Sequence, residues 1–203
     1  MKRQTPMILF TGFLGSGKTT LLLSTAKYLS ENGIKCAIIV NEAGEIGVDN
    51  LQMKKLGYDV WELFGGCICC TLSSTMEETL HRLEEYPVDV ILTEPSGAAD
   101  PSAVYHCLTH AGYAENDMMN YFILDALRIG MLTEILEPLL ASSLPFADMI
   151  LINKIDLASE SELTMSRQTA RKYNRTAEIL EISMSEAIPA EYFKSVECFI
   201  KGN

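Results

Sequence analysis

Residues 12–19 read G-F-L-G-S-G-K-T, a spacing suited to cradling phosphate. Gly12, Gly15 and Gly17 let successive backbone N–H groups point inward at the β- and γ-phosphates of a nucleotide, with Ser16 and Thr20 in the same run. A helix beginning at the loop's end adds the positive end of its dipole. Lys18 supplies a point charge that makes it a catalytic candidate, and the Thr19 hydroxyl is a hard ligand for Mg²⁺. A second pattern, N-K-I-D at residues 153–156, has the geometry to read guanine. The two oxygens of Asp156 can accept the guanine N1–H and N2–H together, a pair of donors that adenine does not offer on that edge. Asn153 would fix the loop and approach N7, the stem of Lys154 would lie along the base face, and Ser183 with Met184 could present a backbone donor to O6.

Between these anchors, Cys67, Cys69 and Cys70 lie in L-F-G-G-C-I-C-C at residues 63–70. Thiolates are soft ligands for Zn²⁺ and similar ions, and Gly65 with Gly66 allows a turn tight enough for the sulfurs to converge. Adjacent Cys69 and Cys70 are strained if both bind, so the loop offers two or three ligands and the set must be completed elsewhere. An incomplete set suits a carrier that must release its ion; the alternative is a buried turn whose cysteines act as small hydrophobes. In N-E-A-G-E-I-G-V-D, residues 41–49, Asp49 is the candidate Mg²⁺ contact and Glu42 and Glu45 are available to either metal, unless the loop is simply solvated. In E-P-S-G, residues 94–97, Glu94 and the Gly97 amide stand where the γ-phosphate and attacking water belong, and Pro95 keeps Glu94 out of helical geometry.

These groups need elements that hold them at one edge. Apolar runs suited to buried strands occur at residues 8–11, 36–40, 88–93, 121–124 and 149–152, with a weaker one at 178–182; a short apolar stretch at 60–63 precedes the cysteines. Amphipathic segments at 18–31, 74–85, 99–111, 130–140 and 160–174 alternate with them. That order predicts an α/β fold, a mostly parallel sheet covered by helices on both faces, with ligands at the carboxyl ends of the strands. The motifs do follow predicted strands. A chain of 203 residues suits one such domain, and the residues after 188 carry no pattern that assigns them a role.

Composition excludes some partners. With Lys and Arg at 16 against 27 for Asp and Glu, the net charge of −11 argues against nucleic acid and against an anionic membrane surface. No stretch approaches the length of a membrane span. The start, Met1-Lys2-Arg3, imitates a secretory leader, but Pro6, Gly12 and Gly15 break the apolar run. The 6 cysteines then suit a reducing cytoplasm. His106 and His110 share a predicted helix face, where an exposed pair near the helix C-terminus is favoured over metal ligation.

Taken together, G-F-L-G-S-G-K-T-T, N-E-A-G-E-I-G-V-D, G-C-I-C-C, E-P-S-G-A-A-D-P and N-K-I-D resemble the CobW-type metallochaperone GTPases, relatives of the GTPases that mature urease, hydrogenase and methylmalonyl-CoA mutase. The resemblance covers most of residues 7–157. It implies a P-loop GTPase of the SIMIBI class, usually a homodimer, that hydrolyses GTP slowly to GDP and couples nucleotide state to delivery of a metal or metallocofactor to a client enzyme or its assembly factor. It also implies Lys18 and Thr19 on phosphate and Mg²⁺, Glu94 sensing or positioning the water, Cys67, Cys69 and Cys70 on zinc or another transition metal, and Asn153 and Asp156 on the base. Full-length family members continue into a second domain that has no counterpart in residues 1–203, so a single GTPase domain is expected. Other readings are a loading or protection factor for a corrinoid-dependent methyltransferase or mutase, a GTP-dependent zinc or redox sensor, and a small-molecule kinase. The kinase would need Arg167, Arg171 and Arg175 as its lid. No arginine finger is evident, so slow turnover is expected unless a partner accelerates it.

Overall fold

The structure, a computed structural model, describes residues 4–40, 59–62, 80–81, 83, 87–95 and 101–202. Seven strands, β1 (Met7–Gly12), β2 (Cys36–Val40), β3 (Asp59–Glu62), β4 (Val90–Glu94), β5 (Met118–Asp125), β6 (Met149–Asn153) and β7 (Glu178–Glu181), form one sheet in the order β3-β2-β4-β1-β5-β6-β7. Every pairing is parallel. Strands buried on both faces read as continuous apolar runs, because alternate side chains meet helices on opposite sides. Ile8 and Phe10 of β1 join one core cluster while Met7 and Leu9 join another. The chain turns to one side of β1 through β2 and to the other through β5, so β1 lies at a topological switch point where the carboxyl ends of the strands open a crevice.

The helices are α1 (Lys18–Glu31), α2 (Pro101–His110), α3 (Ile129–Ile135), α4 (Glu137–Ser143), α5 (Glu160–Tyr173) and α6 (Ala190–Gly202). The bounds of α1 coincide with the amphipathic segment, and Gly33 follows it at a φ of 73°. One expectation is corrected. The segment at 130–140 is two helices that meet at Leu136, because Pro138 opens α4 and lacks the N–H that a continuous helix would need. Of the segment at 74–85, the structure describes only Leu80, His81 and Leu83, all helical, with Leu83 buried. Among the described residues no single helix is long and apolar enough to cross a membrane.

The residues after 188, which carry no assigned role in the sequence, form α6 and complete the core over α1. Tyr192 and Val196 are fully buried, and the Tyr192 ring meets Tyr121 edge-on at 5.0 Å. The Thr25 hydroxyl donates to Leu21 O at 2.8 Å, so in the 2.6 Å contact between the two side chains the Tyr192 hydroxyl is the donor. Tyr28 stacks on Phe193 at 4.2 Å and secures the exposed end of the same contact. Tyr192→Ala is therefore expected to lower unfolding free energy by about 3–5 kcal/mol, and Tyr192→Phe by about 1 kcal/mol. Urea unfolding of the nucleotide-free protein measures both; a loss under about 1 kcal/mol for Tyr192→Ala would mean that α6 is not part of the core.

Candidate nucleotide-binding site

The phosphate loop leaves β1 at Gly12 and enters α1 at Lys18. Gly17 is the residue that the packing demands there. Its φ is 110°, and a Cβ on it would stand 2.6 Å from Met184 Sδ and 2.7 Å from Asn153 Nδ2. Asn153, at the end of β6 and only 2% exposed, uses this close approach. Its Nδ2 donates to Ser16 O at 2.8 Å and its Oδ1 accepts the Met184 N–H at 3.1 Å. One amide thus ties the phosphate loop to the loop after β7. Of the two backbone donors offered by Ser183 and Met184, the Met184 N–H is turned to Asn153.

Lys18 is 5% exposed, with its Nζ 3.3 Å from Phe13 O and 3.8 Å from Glu94 Oε1. Burial pulls its pKa below the ordinary lysine value, and the Glu94 carboxylate opposes that by favouring the charged form. Glu94 reaches this point because β4 lies directly beside β1, with Thr93 in register with Leu9. The Thr19 hydroxyl donates to Glu94 Oε1 at 3.0 Å. The E-P-S-G pattern leads one to expect Glu94 at the attacking water, and its contact with Thr19 sets it beside the expected Mg²⁺ ligand. A hydroxyl and a carboxylate side by side form the hard-oxygen set that Mg²⁺ takes together with phosphate oxygens and water.

At the base end, Asp156 is exposed and held in place by hydroxyls. Ser183 Oγ donates to Oδ1 at 2.7 Å and Ser185 Oγ to Oδ2 at 2.9 Å. These two hydrogen bonds, Ser183 first, hold its carboxyl below the usual carboxylate range, so it remains an acceptor. Lys154 sits in the left-handed region at a φ of 68°, uncommon for a residue with a Cβ. This turn sends its Nζ to Asp125 Oδ2 at 2.6 Å. Between Gly15, Gly17 and Thr20 at one end and Asp156, Leu157 and Ser185 at the other runs an open cleft of about 380 Å³, within the range of small-ligand sites.

The structure brings Gly12, Gly15, Gly17, Lys18, Thr19, Thr20, Glu94, Asn153, Lys154, Asp156 and Ser183 to this one edge. The Ser16 side chain turns inward, its hydroxyl buried without a hydrogen-bond partner among the described residues, so only its backbone faces the loop. Glu42, Asp49, Cys67, Cys69, Cys70 and Gly97 lie outside the described residues. Among the described residues no group of three or more His, Cys, Asp and Glu is arranged to hold a metal ion. His110 Nδ1 is 3.0 Å from His106 O on the exposed end of α2, which returns to the start of β5 and so to the opposite edge of the sheet. Arg167 is committed to Glu181 through Nε and Nη2 and to Glu160 through Nη1, and Arg171 to Ala177 O, so neither is available as a kinase lid. Sequence reasoning missed Asp125, Arg128 and Ser185. Asp125 directly ends the apolar run of β5, the one signal that could have marked it.

A parallel sheet with a phosphate loop after its central strand and N-K-x-D two strands away defines a P-loop nucleotide-binding domain. A family described as CobW/HypB/UreG, nucleotide-binding domain, matches residues 6–181. The chain belongs to this family. It is 31% identical over 189 residues to the zinc-regulated GTPase metalloprotein activator 1 of Schizosaccharomyces pombe, covering 87% of this chain and 45% of that protein. The zinc chaperone YjiA of Escherichia coli is 30% identical over 167 residues, covering 76% and 50%. The zinc chaperone CobW of a Sinorhizobium species is 30% identical over 220 residues, covering 91% and 61%. The chain thus spans about half the length of the curated relatives it matches. Among solved structures, the hydrogenase maturation factor HypB of Archaeoglobus fulgidus superposes with a TM-score of 0.66 at 16% identity, covering 97% of this chain and 90% of that one. FlhF complexed with GTP and Mg²⁺ superposes at 0.59 and 17%, covering 89% and 66%. These likenesses are of fold.

Proposed function

We propose that this chain is a GTP-binding, slowly GTP-hydrolysing metallochaperone domain that couples its nucleotide state to delivery of zinc or a similar transition metal to a client enzyme. What supports the reading is one sheet edge that gathers Lys18, Thr19 and Glu94 at the phosphate loop and Asp156, braced by Ser183 and Ser185, after β6, with Asn153 tying the phosphate loop to the loop after β7. Lys18 and the loop amides would hold the β- and γ-phosphates, and Thr19 and Glu94 would hold the Mg²⁺ that neutralises them. In this reading Asp49 would be a further Mg²⁺ contact, the Gly97 amide would face the γ-phosphate, and Glu42 would be available to either metal.

The metal part rests on register. Val40 pairs with both Glu62 and Glu94, so the end of β3 lies two strands from Glu94, about 10 Å at the usual strand spacing. β3 ends with Glu62 at the same sheet edge as the phosphate loop, and Cys67 follows Glu62 by five residues in the sequence. Cargo bound by the thiolates of Cys67, Cys69 and Cys70 would therefore be close enough to respond to the γ-phosphate. Relatives described as zinc chaperones support zinc as that cargo. The reading also includes a homodimer, as the resemblance implies, and a reducing cytoplasm, in which free thiolates would persist.

Zinc titration of the reduced protein against a chromogenic chelator, with GTP–Mg²⁺, GDP–Mg²⁺ or no nucleotide, tests the coupling. Zinc affinity is expected to differ by at least about tenfold between the GTP and GDP states, because only differential affinity lets hydrolysis drive capture or release. Equal affinities would make the cysteines a structural or sensory site and remove the chaperone reading.

A further inference from the structure

Arg128 stands at the tip of the phosphate loop. It ends the short turn Ala126–Arg128 that follows β5, and its Nη1 donates to Leu14 O at 2.9 Å. A Cβ on Gly15 would lie 3.3 Å from both Nη1 and Nη2, so the guanidinium packs closely over Gly15. Asp125 steadies it from behind. The Asp125 Oδ2 atom that takes Lys154 Nζ at 2.6 Å lies 3.5 Å from Arg128 Nε, so one buried carboxylate links the base loop to the phosphate-loop cation. Arg128 remains 49% exposed, and its other N–H groups make no hydrogen bond among the described residues. Leu14 beside it is 78% exposed, which leaves the apex of the loop uncovered.

An arginine used only as a brace would commit its planar donors to protein acceptors, as Arg167 does with Glu181 and Glu160. Arg128 instead touches the loop once and keeps donors in reserve at the mouth of a site for a highly charged anion. Resting on the GTPase reading above, we infer that Arg128 supplies a positive charge in cis to the β- and γ-phosphates during hydrolysis. Water attacks the γ-phosphorus as the bond to the β–γ bridging oxygen breaks. The electron pair stays on that oxygen of GDP, and the water proton leaves with inorganic phosphate or to solvent. Negative charge grows toward the bridging oxygen, and a guanidinium at the loop apex binds this state more tightly than it binds GTP. Known GTPases with a cis arginine still turn over at only about 0.01 per second, so the assignment agrees with slow hydrolysis. Sequence reading finds no arginine finger because nothing local links Arg128 to Gly15.

Three readouts on wild type, Arg128→Ala and Arg128→Lys test the assignment: single-turnover GTP hydrolysis, affinity for GDP–Mg²⁺, and affinity for GDP–Mg²⁺ with aluminium fluoride, which imitates the transferring phosphoryl group. Arg128→Ala is expected to slow hydrolysis roughly 10- to 100-fold and to weaken the aluminium fluoride complex by a similar factor, with GDP affinity and melting temperature unchanged. Arg128→Lys is expected to recover part of the loss. Wild-type rates and aluminium fluoride affinity in Arg128→Ala overturn the inference. So does a loss of GDP affinity and melting temperature in step with the rate, which marks a brace. A wild-type protein that binds GDP but hydrolyses no GTP would instead remove the GTPase reading, and the aluminium fluoride comparison would still decide the role of Arg128.

Discussion

Lys18→Ala is expected to weaken GDP and GTP binding at least about 100-fold while leaving the nucleotide-free protein folded. Within the protein the ammonium is buried yet weakly answered, with Phe13 O at 3.3 Å and Glu94 Oε1 at 3.8 Å. A phosphate oxygen offers a closer partner of full charge. For two unit charges 4 Å apart near a protein surface the interaction is about 4 kcal/mol before solvent screening reduces it. Without the lysine, the Glu94 carboxylate faces the incoming phosphates with no cation between them, so attraction becomes repulsion at the same spot. Folding is less sensitive. Removing the ammonium removes its desolvation penalty along with its pairing to Glu94, and the two changes offset each other. Calorimetric titration with GDP–Mg²⁺ and a thermal melt separate these effects; wild-type affinity in the variant would place the nucleotide elsewhere on the molecule.

Asp156→Asn is expected to reduce GDP affinity roughly 100- to 1000-fold and to raise affinity for xanthosine diphosphate above it. The carboxylate accepts two donors from guanine. An amide in its place offers one acceptor and one donor, which conflicts with the guanine amino group but matches the xanthine carbonyl at the same position. The neighbourhood favours a clean exchange. Ser183 and Ser185 hold the side chain through hydroxyls that can rotate to donate to an amide oxygen or accept from an amide nitrogen, so the asparagine keeps the place of the aspartate. Competition of GDP and xanthosine diphosphate against a fluorescent nucleotide measures the switch. Unchanged preference would show that the base is read by some other group.

The local parts of this architecture are legible in the amino-acid sequence. The apolar runs mark six of the strands nearly as they occur, because a strand buried on both faces has little freedom in composition. The phosphate loop and N-K-I-D carry their chemistry in their spacing, and both stand at strand ends in the crevice. Two further features have local marks that a reading for strands and motifs passes over. Pro138 marks the break at Leu136, and the spacing of Tyr192, Val196, Phe199 and Ile200 marks the buried face of α6.

Long-range pairing decided the rest. Glu94 meets Thr19 only because β4 is inserted between β2 and β1, and Asp125 takes Lys154 only because β5 lies beside β6. Ser185 reaches Asp156 because β7 closes the sheet beside β6. By itself the sequence determined periodicity and loop chemistry, which depend on neighbours along the chain. Strand order, and with it the partner of each functional side chain, depends on the packing of the whole sheet, which no local window contains.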